Sequence, residues 1–420
     1  MINIFRMYFT NFNTNYINKK NFIISLIGLL PVGLIAGSLI GNFIVVSIAS
    51  YFLYEIVKTK KLYLLYRDKN FKFLILINIY LIINAIFIAH NLESVFKSIS
   101  FLRFIILAYA ISYYFIFYKK IIIKLWVILF LIITFDIFFE FTFGNNIFGL
   151  SSNYYGRIAS FTGDELKIGG YYFGFIFIVL TFFENRNQKL FFLFAIIFLI
   201  ASLVTGERSN FLKIFIMYLI YFLFFFDMKF IKKIFFIFFI TIVSLIIINN
   251  IPIIKSKFYN QIFKQFIIAK NEQMSLSLSK IVEGNQHLSH YKVAFEIFKL
   301  EPIFGSGFRS FRILSFEEKY QHPNMRLGST HPHQIHFQFL SELGIVGYIL
   351  ILSNFIYVIT RSSKLKKNSL HIAGKIFLIA TLVPILPSGS FFTSYGATIF
   401  FINYSLLLNF DKLKISNNNL

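Results

Sequence analysis

An all-α polytopic membrane protein with about twelve transmembrane helices and one large exported loop is the fold class this sequence predicts, and three observations carry that reading. Of 420 residues, 57% are hydrophobic and only 14% charged, and the mean hydropathy is +0.71. A soluble domain, a disordered chain and a coiled coil are thereby excluded. The apolar residues also gather into runs near the roughly 20 residues that a spanning helix needs. Finally, lysine and arginine are divided unevenly between the segments that join those runs.

The runs fall at 22–40, 43–57, 73–89, 101–117, 125–140, 169–183, 190–205, 211–226, 234–250, 335–359, 372–388 and 391–409. The first has no small-residue cleavage site and passes into the second at Gly41-Asn42, so it reads as a span and not a signal peptide. With both termini cytoplasmic, the inner segments hold 24 of the 41 basic residues and the short outer segments hold 6. The other 11 lie in 251–334, a loop too long for the positive-inside rule to count. The +23 net charge is therefore a topogenic signal facing anionic lipid, and nucleic-acid binding drops out. Without cysteine there is no disulfide framework and no Cys-based zinc or redox site. The whole chain, 1–420, reads as one transmembrane domain with the 251–334 loop inserted between spans nine and ten.

Within that loop, Lys257–Lys270 suits either a helix lying in the membrane interface or one packed on the rest of the loop. Leu288–Leu300 reads as a helix stopped by Glu301-Pro302, and Gly305-Ser306-Gly307 as a flexible turn. The most informative stretch is Ser329–Tyr348. Pro332 suits a first helical turn, which would place His333 in that turn at the outer membrane surface. Phe337, Leu340, Gly344 and Gly347 would then share its face, and the two glycines would admit a neighbouring helix beneath it. Glu342 would point away and needs a partner inside a span, for which Gln338 is one turn distant. A neutral imidazole at this boundary can act as a general base; it can equally cap a helix or meet headgroups.

Arg208, at the outer tip between spans seven and eight, precedes a new helix. Free N–H groups and a guanidinium make a good anion site there. The alternative is an exposed pair with its neighbour Glu207. Arg157 and Arg103 lie in outer positions too, although Arg103 also reads as snorkelling to headgroups. His331, His333 and His336, with His322, raise the question of zinc, but their spacing gives no common face and His336 should point away from His333.

These residues resemble a known family. Members of the O-antigen ligase and O-antigen polymerase family carry His, then Asn, Ser or Gln, nine residues, Gly, two residues, and Gly, Thr or Tyr. Here His333, Gln334, Gly344 and Gly347 fall at those positions. Gly305 and Gly307 resemble the Gly-x-Gly segment upstream, and His331-Pro332-His333 its His-x-His form. The resemblance implies a GT-C-like bacterial inner-membrane glycosyltransferase, inverting and metal-independent, with no cofactor. It would serve lipopolysaccharide biosynthesis in the cell envelope, with its active site on the periplasmic side. The donor would be an undecaprenyl-pyrophosphate-linked glycan and the acceptor either lipid A core (ligase, slightly preferred) or a growing glycan (polymerase). His333 would be catalytic, and Arg208, His331, Arg157, His290, Arg309 and Arg103 would bind substrate. His290 stands near where family ligases often have a diphosphate-assisting arginine, and Arg309 or Arg312 is the substitute on offer. The competing class, a flippase for the same lipid-linked glycan, should show an internal repeat and midplane charges; here the polar groups cluster at the outer ends of spans.

Overall fold

The computed structural model describes residues 19–165, 167–184, 186–260, 286–320, 328–363 and 368–408. Their regular structure is all helical, with no strand among the described residues. The helices are α1 (Lys19–Ile35), α2 (Ser38–Lys58), α3 (Lys69–Asn84), α4 (Leu92–Ser100), α5 (Leu102–Phe143), α6 (Ile168–Glu184) and α7 (Gln188–Val204). They continue with α8 (Arg208–Ile220), α9 (Phe230–Asn250), α10 (Gln286–Leu300), α11 (Ile335–Ser363), α12 (Ser369–Thr381) and α13 (Ser394–Ser405). A π-helical turn extends α3 through Ala89 and another extends α8 through Phe225. Short polar side chains start several helices by accepting the first free amides: Asp68 for α3, Asn91 for α4, Asn187 for α7, Asn368 for α12 and Thr393 for α13.

Among the described residues, six helical stretches are long and apolar enough to cross a membrane: Ser38–Lys58, Lys69–Ala89, Leu92–Phe143, Arg208–Phe225, Phe230–Asn250 and Ile335–Arg361. Shorter apolar helices stand at Asn21–Ile35, Ile168–Glu184, Gln188–Val204 and Ser369–Thr381. Phe235 and Phe238 on α9 are 71% and 62% exposed, as a lipid-facing surface requires.

Two runs, 101–117 and 125–140, form the single 42-residue helix α5. Straight, it would reach about 63 Å, twice the hydrocarbon thickness. It is not straight. The rings of Phe115 and Trp126 lie 5.6 Å apart, where an unbent helix would separate them by roughly 16 Å along its axis. Near its start, Arg103 donates to Asn42 and Ser394; near its end, Asp136 and Glu140 accept from Ser160 and Ala159. Tyr395, beside Ser394, donates to the Lys167 carbonyl, so both ends of α5 meet the same end of the bundle. The 286–320 segment also packs there, and we call it the loop end. The bend near Lys119, Lys120 and Lys124 lies at the opposite end.

The last two runs are shorter as helices than their hydropathy suggests. α12 stops at Thr381 and α13 starts only at Ser394, because Pro384 and Pro387 keep the backbone between them from continuing a helix. This non-helical stretch, at the loop end, becomes part of the site. Of the Lys257–Lys270 segment, residues 261–270 lie outside the described residues, as does His322.

Candidate active site

α11 is broken at Gly344, whose φ of 65° and ψ of −171° are not helical. Backbone groups freed within a membrane must bond elsewhere, and residues 302–308 take them up. Ser306 N and Gly307 N donate to the carbonyls of Ser341 and Glu342 at 2.9 and 3.0 Å. In return, Ile345 N and Val346 N donate to the carbonyls of Pro302 and Ile303 at 2.9 and 3.2 Å. This approach requires glycine on both sides: a Cβ on Gly305 would lie 2.5 Å from Gly344 N, and one on Gly344 2.4 Å from Gly305 N. Asn84 clamps the same segment, donating to the Phe304 carbonyl and accepting from Phe308 N. Gly347 leaves room for Tyr80, whose hydroxyl donates to the Leu343 carbonyl at 2.7 Å. Two expectations are thereby corrected. Gly344 and Gly347 do not line one continuous helix face, and Gly305-Ser306-Gly307 is a bonded clip, not a flexible turn.

The break positions the start of α11, and that start differs from expectation as well. The helix begins at Ile335 because Gln334 caps it, its Oε1 accepting His336 N at 2.7 Å and Phe337 N at 3.0 Å. Pro332 and His333 therefore lie before the helix, and His333 takes a left-handed backbone with φ 58°. Such a conformation costs a residue with a Cβ about 1–3 kcal/mol and persists only where surroundings impose it. Here the His333 carbonyl accepts Ser388 N at 2.7 Å, tying it to the non-helical stretch between α12 and α13. His336 faces elsewhere, donating from Nε2 to the Leu382 carbonyl at 2.9 Å and accepting at Nδ1 from Tyr348 at 3.1 Å. Glu342 is buried and receives Gln338 Nε2 at 3.3 Å, the partner that its position in the span called for.

Three imidazoles gather around that of His333. Its ring centroid lies 4.1 Å from that of His331, 5.2 Å from His287 and 5.3 Å from His290. His287 and His290 come from α10, which is held over α11 by Tyr291 stacked on Phe337 and bonded to the Ile385 carbonyl. Burial first, then the neighbouring imidazoles, pushes the His333 pKa down to about 3 and that of His331 down to about 4. His287 is held near 4 by burial, His290 and the charges of Arg208 and Arg157. Burial also lowers His290, whose Nε2 has no hydrogen-bond partner although the residue is 2% exposed. The imidazoles are thus neutral at physiological pH. His333 Nε2 lies 3.2 Å from Ser329 Oγ; with Ser329 accepting, Nδ1 is left with a free lone pair. Among the described residues, no three His, Asp or Glu side chains form a metal-ligand set.

Arg208 and Arg157 lie within electrostatic reach of His287. The 156–158 loop packs on the turn before α8, with Ile158 N donating to the Thr205 carbonyl and the backbones so close that a Cβ on Gly206 would meet the Gly156 carbonyl. This brings Arg157 within electrostatic reach of Arg208, and Lys257 joins them. Glu207 does not form the exposed pair considered from the sequence. It is buried, and its carboxylate accepts from Gly169 N and Asn210 Nδ2 at 3.0 and 2.6 Å. Arg309 and Arg312 do not join this group; both lie against Glu93, at 3.2 and 3.8 Å. Arg103 bonds Asn42 and Ser394 and packs over Phe104, and it lines a cavity of about 610 Å³ together with His331, Arg309 and Glu207.

Reading the sequence missed His287, Ser329, Lys257 and Ser388. Only His287 had a local signal: it sits three residues before His290, on one face of the same helix. The others come together through tertiary folding.

Residues 190–352 match the family model described as O-antigen ligase. The match runs from the start of α7 to the second half of α11 and includes Arg208, the four clustered histidines and the glycine clip; Arg103 and Arg157 lie before it. No curated protein matches the chain. Over residues 190–352, then, the chain is similar to the O-antigen ligase family.

Proposed function

We propose that the protein is a membrane glycosyltransferase that moves a glycan from undecaprenyl pyrophosphate to a sugar hydroxyl on the periplasmic face of the inner membrane. The observation that carries this is the closeness of the histidine cluster to a group of cations: Arg208 and Arg157 act electrostatically on His287, Lys257 lies within reach of both, and the His287 ring is 5.2 Å from that of His333. A base and an anion clamp side by side are what transfer from a pyrophosphate requires. His333 takes the proton of the acceptor hydroxyl as its oxygen bonds to the anomeric carbon. The carbon–oxygen bond to pyrophosphate breaks, its electron pair leaving on undecaprenyl pyrophosphate, and the anomeric centre inverts. Arg208 and Arg157 stabilise the charge growing there. Lys257 takes the third place that Arg309, drawn to Glu93, does not fill. The donor is already activated, so neither nucleotide nor divalent metal is needed.

The twelve runs are twelve crossings in this reading, with α5 contributing two and both termini cytoplasmic. The ligase reading, with lipid A core as acceptor, is preferred over polymerase. Surface glycan from a deletion strain tests the assignment: unmodified core with full chains left on the carrier lipid marks a ligase, and core bearing a single repeat marks a polymerase. Lipid-linked glycan stranded on the cytoplasmic leaflet would instead mark a flippase and overturn the transferase.

A further inference from the structure

The cavity of about 610 Å³ at the loop end has the size of a small-ligand site, roughly 300–1,000 Å³. It exists because α12 and α13 both stop short, leaving the 382–393 backbone to form one wall. Its lining is strongly basic: Lys97, Arg103, Lys167, Lys213 and Arg309, with Glu207 the one acidic side chain among the described lining residues. Three of the cations are fixed in place. Lys213 Nζ donates to the Pro387 carbonyl at 2.8 Å, Arg103 is held by Asn42 and Ser394, and Arg309 by Glu93. Three of the lining residues carry a buried side-chain atom with no hydrogen-bond partner: Arg103 Nε, His331 Nε2 and Ser388 Oγ. A buried polar group left unpaired costs about 1–3 kcal/mol, a cost that a ligand supplying acceptor atoms beside these residues would offset. An N–H and a hydroxyl beside fixed positive charge fit an oxyanion. Phe101, Phe173 and Tyr395 add flat apolar walls suited to the faces of a sugar ring.

The position of the cavity says which substrate it serves. It reaches His331, whose ring centroid is 4.1 Å from that of His333. Arg157, Arg208 and Lys257 are not among its lining residues, and the cavity meets that group at Glu207, the neighbour of Arg208. The cavity and the arginine group thus both reach the histidine cluster. We propose that this cavity is the acceptor subsite and that it takes a sugar carrying an acidic group, a phosphate monoester or a carboxylate. The assignment rests on the reading that His333 takes a proton from the acceptor and that Arg208 holds the donor.

Calorimetry on the purified full chain in nanodiscs tests it, with glucose 6-phosphate, glucuronic acid and glucose as acceptor probes and a short prenyl pyrophosphate as donor probe. At least one acidic sugar should bind tenfold or more tightly than glucose, and should still bind when the prenyl pyrophosphate is saturating; which acid binds identifies the group. Arg103→Gln should weaken the acidic sugar at least tenfold and leave the pyrophosphate within twofold, and Arg208→Ala should do the reverse. Ser388→Ala, which removes only the unpaired hydroxyl, should weaken the acidic sugar about threefold in a normally folded protein. One-for-one competition between the two anions, or acidic sugars no tighter than glucose, overturns the proposal. Two independent anion sites in a protein that transfers no glycan would instead contradict the functional reading and leave this site standing.

Discussion

Two groups of buried polar residues, one near each end of the bundle, are used differently. At the opposite end, Asn70 donates to Tyr109 and accepts from Asn354 and Tyr404, while Arg361 pairs with Asp68. These contacts join α3, α5, α11 and α13 into a closed network. At the loop end, His290 Nε2, Arg103 Nε and Ser388 Oγ are buried without partners, and Arg157, Arg208 and Lys257 are brought together despite their like charge. A network that satisfies itself holds helices in register. A set that leaves donors open and cations crowded gains its partners from what it binds.

The sharpest way to break this contrast is at Arg208. Arg208→Lys and Arg208→Ala should both lower glycan transfer by about 10²–10³-fold, because a point charge cannot replace the bidentate fork. Protein levels and melting temperature should stay normal. Near-normal transfer by the lysine variant would reduce Arg208 to a surface charge. Asn70→Leu should do the opposite, removing three interhelical bonds at a cost of about 2 kcal/mol, read as a lower melting temperature with unchanged turnover per folded molecule.

A smaller effect separates the ends by pH. His333, His331 and His287 have folded pKa values below the ordinary histidine value, near 3, 4 and 4. Their stabilisation is complete above the unfolded value of about 6.5 and is lost as pH falls below it, because the unfolded chain then binds protons that the folded site refuses. Melting temperature should therefore decline between pH 7 and pH 5, and the acid limb of kcat/KM should lie well below pH 6.5. An acid limb centred at 6.5 would mean that His333 is solvated like a free imidazole. The smallest effect is expected at His336, whose ring nitrogens are occupied by Tyr348 and Leu382. His336→Ala should lose about 1 kcal/mol of stability and little turnover.

Much of this architecture is legible in the sequence, and its limits are instructive. The apolar runs locate most of the helices. The loop helix expected at Leu288–Leu300 is observed at Gln286–Leu300. The helix break at Gly344 is not legible, because a glycine inside an apolar run serves helix packing and a positive φ equally well. The left-handed His333 has no local signal either; Ser388, more than fifty residues away, holds it in place. Arg309 and Arg157 were equal candidates by composition. Glu93 and the Gly156–Gly206 contact send them to different places, and no spacing rule anticipates either.

The central claim, that the loop end holds a general base working without metal, is tested most directly by purified protein with lipid-linked donor and acceptor in EDTA. General-base work is typically worth 10²–10⁴-fold. Wild type should transfer at full rate in EDTA, and His333→Ala should be slower by that factor while binding the donor as tightly as before. Loss of wild-type transfer in EDTA, or most activity remaining in His333→Ala, would contradict the account.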